Sequence, residues 1–135
     1  MTKYVIGPDV ALRLARQKAT VAAGHQLLAP TLLRSQVLSQ LYETVRAGRL
    51  SRKEAEARLD YLRGLRIRLL GDRVLQRAAW KIAEQLGWAD TYAAEYIALT
   101  QLQADAFVTL DTGLAHAAKS TVALATFDDL LGTSR

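Results

Sequence analysis

The sequence predicts an α/β fold with three layers, α/β/α, in which a mostly parallel central sheet has helices on both faces. Short segments of strand-favouring residues alternate with longer segments whose apolar residues recur at helical spacing. The short segments are apolar on both faces, as expected for parallel strands that are covered by helices on each side. One long helical stretch, residues 31–63, interrupts the alternation and predicts a helical hairpin as an excursion from the core.

The composition limits what kind of protein this is. The 135 residues, half of them hydrophobic, suit a single domain over 1–135 with one core. No apolar run is long enough to span a membrane and the N-terminus lacks a signal-peptide layout, so we expect a cytoplasmic protein with no membrane partner. Because cysteine is absent and histidine is scarce, any metal would be Mg²⁺ or Mn²⁺ bound by oxygen. The net charge of +5 modestly favours a polyanionic partner.

The first half of the chain is predicted to hold two strands and three helices. Strand propensity and breaking residues favour strands over 3–6 and 27–29. Helical spacing predicts helices over 10–18, which Asp9 opens, and over about 31–47. The third helix runs to about residue 63 from Ser51-Arg52-Lys53-Glu54, which is a capping box.

The second half continues the alternation. A strand over 67–70 precedes a helix over 73–86, for which Asp72 is the expected N-cap and whose apolar face includes Val74. The remaining predicted elements are a helix from 90 or 91 to about 102, a strand over 106–110, a helix over 112–119, a strand over 121–125 and a terminal turn or short helix over 127–131. Trp80 and Trp88 are interpreted as core or interface residues.

Asp111 is the first candidate for a functional residue. The apolar run Ala106 to Leu110 ends abruptly on this acid and is followed by a predicted helix. A buried parallel strand would thereby place a carboxylate at the carboxyl end of the sheet, where ligands collect in open α/β folds. Asp111 is also a good N-cap for the helix that starts near Thr112, and the two roles are compatible.

The order and spacing of several segments resemble the PIN domain, specifically the VapC type of bacterial toxin. The segments that carry the resemblance are Tyr4-Val5-Ile6, residues 28–37, residues 48–51, Tyr92-Ala93-Ala94-Glu95-Tyr96-Ile97-Ala98-Leu99, and residues 107–111 followed by Leu114. The resemblance implies a Mg²⁺-dependent endoribonuclease, a VapB-like antitoxin as partner, RNA as substrate and a homodimer.

The resemblance also implies four acidic positions at one end of the sheet, where carboxylates would bind Mg²⁺ and thereby activate water and stabilise phosphate charge. Three of these positions are replaced here, by Gly7, Gln36 and Ala93, and only Asp111 keeps an acid. Gln36 would offer one neutral oxygen. The replacements argue for weak or no catalysis.

Two nearby acids are candidates to substitute for the missing ones. Asp9 lies two residues after Gly7 and Asp90 lies three residues before Ala93. We therefore take Asp111 and Asp9 as catalytic candidates, and all three aspartates as candidate metal ligands. The alternative for Asp9 and Asp90 is a structural role at a helix start. Glu95 is expected to point away from the cleft into solvent.

Candidate RNA-binding residues lie on the neighbouring elements. Arg13 and Arg16 lie on the first helix, where they would contact a phosphate backbone or form ordinary solvated surface. Thr109 would hydrogen-bond a site carboxylate or RNA, or serve as a strand-favouring residue. Two functions stay open: an active Mg²⁺-dependent endoribonuclease, and a degenerate PIN domain that acts by binding an antitoxin-like partner, itself or RNA.

Overall fold

The computed structural model describes residues 1–132, so the last three residues of the predicted 1–135 domain lie outside the described part. Its elements in chain order are β1 (Thr2–Ile6), α1 (Pro8–Gln17), β2 (His25–Pro30), α2 (Leu32–Arg46), α3 (Arg52–Gly64), β3 (Arg68–Leu70), α4 (Arg73–Leu86), α5 (Tyr92–Gln103), β4 (Ala106–Val108), α6 (Thr112–Ala118) and α7 (Phe127–Leu131).

The sheet has the strand order β3-β2-β1-β4 and all its pairs are parallel. Val5 lies at its centre, between Leu28 of β2 and Phe107 of β4. Because crossovers between parallel strands are right-handed, α1, α2 and α3 lie on one face and α4 and α5 on the other. The packing agrees, since α1 contacts α2 and α3, whereas α5 covers the sheet and α4 packs on α5. The predicted three-layer α/β fold is confirmed.

The core lies on both faces of β1. Its largest fully buried side chains come from the sheet, α1, α5 and α7, and include Phe107, Ile6, Leu14, Ile97, Leu99 and Leu130. Burial of each such side chain contributes about 1.5–3 kcal/mol relative to exposure. This packing fixes the carboxyl ends of β1 and β4, which hold the candidate site. Within residues 1–132, no helix is both long and apolar enough to cross a membrane.

The helical hairpin is formed by α2 and α3, as predicted. Leu33, Val37 and Leu41 are the buried residues of α2. At the start of α3, the Glu54 amide donates to Ser51 Oγ over 3.0 Å and the Ser51 amide donates to Glu54 Oε1 over 3.1 Å. The capping box is therefore present. Hydrogen bonding from the Ser51 amide, and then from the Ser51 side chain, lowers the pKa of the Glu54 carboxyl.

The prediction of a last strand over 121–125 was wrong. Only one isolated parallel bridge forms there, between Leu124 and Phe107. Thr121 is held in the turn after α6, because its amide and its hydroxyl both donate to the Ala118 carbonyl. Thr126 already caps α7, so the chain has room for only one bridge between these two helices.

Several element boundaries and faces also differ from the prediction. Strand β2 begins at His25, two residues before the predicted strand over 27–29, because His25 and Gln26 continue the pairing with β1. Helix α1 begins at Pro8 after Gly7, one residue before Asp9. On α4, Val74 is 59% exposed because the buried residues, Leu75, Ala79, Ile82 and Ala83, lie on a neighbouring side of the helix. Trp80 is 64% exposed, so it is not a core residue.

Candidate functional site

The candidate site lies where β1 and β4 end side by side. Gly7 follows β1 directly, and its amide donates to the Val108 carbonyl over 3.2 Å, which holds the two strand ends together. Asp9 lies in the first turn of α1, and Asp111 comes shortly after β4. The fold thus brings both candidate catalytic acids to the carboxyl end of the sheet.

Asp9 accepts hydrogen bonds on both of its carboxylate oxygens. Its Oδ2 accepts from the Thr109 hydroxyl over 3.1 Å and from the Leu110 amide over 2.9 Å. Its Oδ1 accepts from the Val10 amide over 2.8 Å. We call the bonds from Thr109 and Leu110 to Asp9 the Asp9 clasp. The clasp joins the start of α1 to the chain beyond β4 and explains why β4 ends earlier than predicted.

Thr109 connects the two acids. While its hydroxyl donates to Asp9, it accepts from the Asp111 amide over 3.1 Å. The expected hydrogen bond from Thr109 to a site carboxylate is therefore present. Asp111 itself is exposed, and its Oδ1 accepts from the Leu114 amide over 3.0 Å as the N-cap of α6. The carboxylate of Asp111 has the capping role that the sequence suggested.

Gly7 occupies the first position from which the resemblance expects an acid. A Cβ atom built on Gly7 would lie 2.7 Å from Asp9 Oδ1, which is closer than real Cβ contacts allow. The backbone of Gly7 is extended, with a φ of −79°, so the restriction is one of space. An acidic side chain at position 7 and the Asp9 carboxylate in its present place therefore exclude one another.

The second replaced position, Gln36, is bound to a buried tyrosine. The Tyr96 hydroxyl donates to Gln36 Oε1 over 2.5 Å, and the Tyr96 ring packs at a tilt on Phe107 with 6.2 Å between centroids. Burial, and then the charges of Glu95 and Asp9, raise the pKa of Tyr96 far above its usual range. Tyr96 is thus a permanent hydrogen-bond donor.

The third replaced position lies at the start of α5, and it supplies no acid to the candidate site. Ala93 stands at the replaced position, and Asp90 Oδ1 accepts from the Tyr92 amide over 3.2 Å just before the helix. Glu95 is partly buried, and this burial raises its pKa. Glu95 was expected to lie on solvated surface and is instead intermediate in exposure, because its helix packs between the sheet and α4.

These residues do not fit the Mg²⁺ or Mn²⁺ site that the resemblance implies. Across residues 1–132, no three or more side chains of His, Asp and Glu are grouped so that they could hold a metal ion. Asp9 already accepts three hydrogen bonds, and Asp90 and Asp111 each accept a backbone amide at a helix start. The carboxylate oxygens that a cation would have to bind therefore already accept hydrogen bonds from backbone amides.

The candidate RNA-binding residues are dispersed. The guanidinium of Arg13 lies over the Phe127 ring of α7, 4.7 Å from its centroid, and its Nε is buried without a hydrogen-bond partner among the described residues. Arg16 is exposed in the last turn of α1. Thr109 takes part in the Asp9 clasp. Only Thr109 therefore contacts the candidate acids.

No protein-family model matches the chain, and no curated protein matches it. The structure of PAE2754 from Pyrobaculum aerophilum matches with a TM-score of 0.75 and 19% identity, over 97% of this chain and 93% of that one. A chain of VapBC2 from Rickettsia felis, solved bound to a DNA fragment from its promoter, matches with a TM-score of 0.64 and 11% identity, over 93% of this chain and 98% of that one. This chain is therefore similar to both in fold.

Proposed function

We propose that this chain is a VapC-like PIN-domain component of a toxin–antitoxin pair, and that its degenerate acidic site makes it act by binding and not by Mg²⁺-dependent RNA cleavage. The observation that carries this proposal is the Asp9 clasp. It places a hydrogen-bonded carboxylate against Gly7, where the resemblance expects a metal-binding acid. The similarity in fold to a VapBC2 chain supports the toxin–antitoxin assignment.

The remaining site residues support the loss of cleavage. Mg²⁺ binds carboxylate and water oxygens in a near-ideal octahedron and gives up its water reluctantly, so it needs charged ligands that are free to coordinate. Gln36 is neutral, and its Oε1 already accepts from Tyr96. Ala93 offers no ligand atom. With these residues, we expect too few free charged oxygens to activate a water molecule beside a phosphate.

A groove on the helical hairpin is the surface that we propose for an antitoxin-like partner. A cavity of about 510 Å³ opens between α2, α3 and β3. Its walls are largely aliphatic, with Leu33, Val37, Leu38, Leu59, Leu62, Ile67 and Leu69. Leu38 is 56% exposed at the rim, which leaves apolar surface available for a partner.

The charges at the rim indicate the chemistry of the partner. Arg34, Arg63 and Arg66 line the groove, and among them only Arg63 has an ion pair in residues 1–132, with Asp60. Apolar walls beside unpaired arginines suit an amphipathic helix with acidic residues along its polar side. We propose this chemistry for the antitoxin-like partner. A homodimer stays a prediction of the resemblance.

The cleavage part of the proposal is tested with single-stranded RNA incubated in Mg²⁺, in Mn²⁺ and in EDTA. We expect the same RNA pattern in all three, and no difference between the wild type and Asp111→Asn. Metal-dependent cleavage that disappears in Asp111→Asn would overturn this part and establish the second candidate function.

That second candidate is a weak Mg²⁺-dependent endoribonuclease that uses Asp111 and Asp9, with Asp90 as a further ligand. One observation favours it: Thr109 connects Asp9 to the Asp111 amide, so two acids do lie at the same end of the sheet. A cation would have to replace the clasp bonds of Asp9. The cleavage assay distinguishes the two candidates directly.

The groove is tested with a synthetic helical peptide that carries leucines on one side and glutamates on the other. We expect it to bind the wild type and a sequence-scrambled peptide of the same composition not to bind. Leu38→Glu should abolish binding, whereas Leu102→Glu, which changes an exposed leucine on α5, should leave it unchanged. Equal binding of the two peptides would refute the proposed groove.

A further inference from the structure

The exposed side of α4 combines an aromatic ring with several cations. Trp80 is 64% exposed, which is unusual for so large an apolar side chain, while the buried residues of α4 pack towards α5. Arg77 lies three residues before Trp80 and Arg73 lies seven residues before it, so a helix places all three along one side. Lys81 follows directly. We call Arg73, Arg77, Trp80 and Lys81 the α4 strip.

The cations of the α4 strip are available for a ligand. Arg73, Arg77 and Lys81 are exposed, and within residues 1–132 none of them takes part in an ion pair. Glu84 is the one acid of α4, so the three basic residues leave this helix with a net charge of +2. With a rise of 1.5 Å per residue, Arg73 and Trp80 lie about 10 Å apart along the helix axis.

We propose that the α4 strip binds single-stranded nucleic acid, with Trp80 stacked on a base and Arg73, Arg77 and Lys81 against neighbouring phosphates. Stacking on an exposed aromatic ring beside basic side chains is how proteins bind single strands without reading their sequence. A double helix would hide the base faces from Trp80. A protein partner would have to supply an acid for each of the three unpaired cations as they are desolvated, whereas the phosphates of a single strand neutralise them along its length.

This surface is separate from the candidate site. No hydrogen bond or ion pair found within residues 1–132 joins the strip to the Asp9 clasp, and the proposed binding needs neither a metal ion nor a carboxylate. It goes beyond the proposed function, since it gives the chain a ligand other than an antitoxin-like partner. Binding in EDTA therefore tests the α4 strip even where the cleavage assay or the peptide assay fails.

The first experiment measures the affinity for a fluorescein-labelled uridine oligoribonucleotide in EDTA by fluorescence anisotropy. Trp80→Ala should weaken binding at least about fivefold, because loss of one stacked base costs about 1–3 kcal/mol. Trp80→Phe should retain most of the affinity, since its ring still stacks. Tyr42→Ala is the matched control: Tyr42 is 62% exposed on α2, outside the strip, and its loss should change nothing.

The second experiment measures the salt dependence of the same binding. Each phosphate contact to a single strand adds about 0.7 to the slope of log K against log salt, so Arg77→Gln should reduce the slope by about that amount. Arg49→Gln removes an exposed cation from the loop between α2 and α3 and should leave the slope unchanged. Equal reductions in both variants would mean that the charge acts diffusely, and would overturn the assignment to α4.

A direct spectroscopic measurement guards against misfolding of the alanine variant. In a Trp88→Phe protein, Trp80 is the one remaining tryptophan, and its fluorescence should be quenched when the RNA is added. Unchanged fluorescence at saturating RNA would refute the stacking. The proposal is also overturned if Trp80→Ala leaves RNA affinity intact but converts a dimer to a monomer in light scattering, since the strip would then be a face for a second copy.

Discussion

Replacement of Asp9 by alanine tests whether the clasp holds the site together. The change removes the acceptor of the Thr109 hydroxyl and of the Leu110 amide, so the link between α1 and the end of β4 is lost. Hydrogen bonds to a charged group contribute about 1.5–3 kcal/mol each when they are well shielded. Asp9 is only partly buried, so water can replace part of this. We expect Asp9→Ala to lower the free energy of unfolding by about 2 kcal/mol.

The assay is urea unfolding followed by circular dichroism. With an m-value of about 2 kcal/mol per molar, the midpoint should fall by about 1 M urea. Asp9→Asn keeps one oxygen that can accept from Thr109 and Leu110, but it loses the charge and replaces the oxygen that accepts from Val10 with an NH2 group. Its loss should be about half as large. Glu84→Ala removes an exposed acid from α4 and should stay within about 0.5 kcal/mol of the wild type. If Asp9→Ala also stays within that range, the clasp does not stabilise the fold.

Two further changes follow from the same geometry. Gly7→Ala adds a Cβ that displaces the Asp9 carboxylate, so it should cost up to about 2 kcal/mol alone but less than about 0.5 kcal/mol in an Asp9→Ala background. Additive losses in urea unfolding would show that the two residues do not compete. Burial raises the pKa of Glu95, so the folded state holds a proton there that the unfolded state releases, and stability should fall as pH rises above the ordinary pKa of glutamic acid. Glu95→Gln should therefore raise the thermal midpoint at pH 7, and this gain should disappear at acidic pH, where Glu95 is protonated in both states. An equal gain at pH 7 and at acidic pH would contradict the raised pKa.

The fold was largely predictable because its signals are local. The capping box at Ser51 and Glu54, the strand propensity of β1 and the apolar spacing of α2 each act within a few residues. The last strand failed because strand formation depends on the length of chain that can lie beside β4. Turn bonds from Thr121 and the cap at Thr126 leave only Leu124 to form a bridge.

The candidate site was predictable in position but not in its bonding. The strand-end pattern placed Asp111 and Asp9 at the same edge of the sheet. The partners of Asp9 lie about a hundred residues away in sequence, so no local pattern indicates that its carboxylate is committed to Thr109 and Leu110. The same holds for the bond between Tyr96 and Gln36, which joins α5 to α2.

Exposure of single side chains was the least predictable feature. Helical spacing shows that Trp80 lies next to the apolar side of α4. It does not show whether the helix that packs against α4 also covers Trp80. In the fold, α5 covers Ala79 and Ile82 and leaves Trp80 in solvent. Trp80, which was interpreted as a core or interface residue, is therefore not in the core and belongs to the proposed nucleic-acid surface.

Calorimetric titration with Mn²⁺ shows whether the site carboxylates bind a cation or are committed to hydrogen bonds from the backbone. The wild type and Asp111→Asn would be titrated side by side. We predict no heat beyond dilution from either protein, because residues 1–132 contain no group of three or more His, Asp or Glu side chains that could bind the ion. Binding by the wild type that disappears in Asp111→Asn would show that Asp111 still anchors a metal site, which contradicts the proposed loss of cation binding.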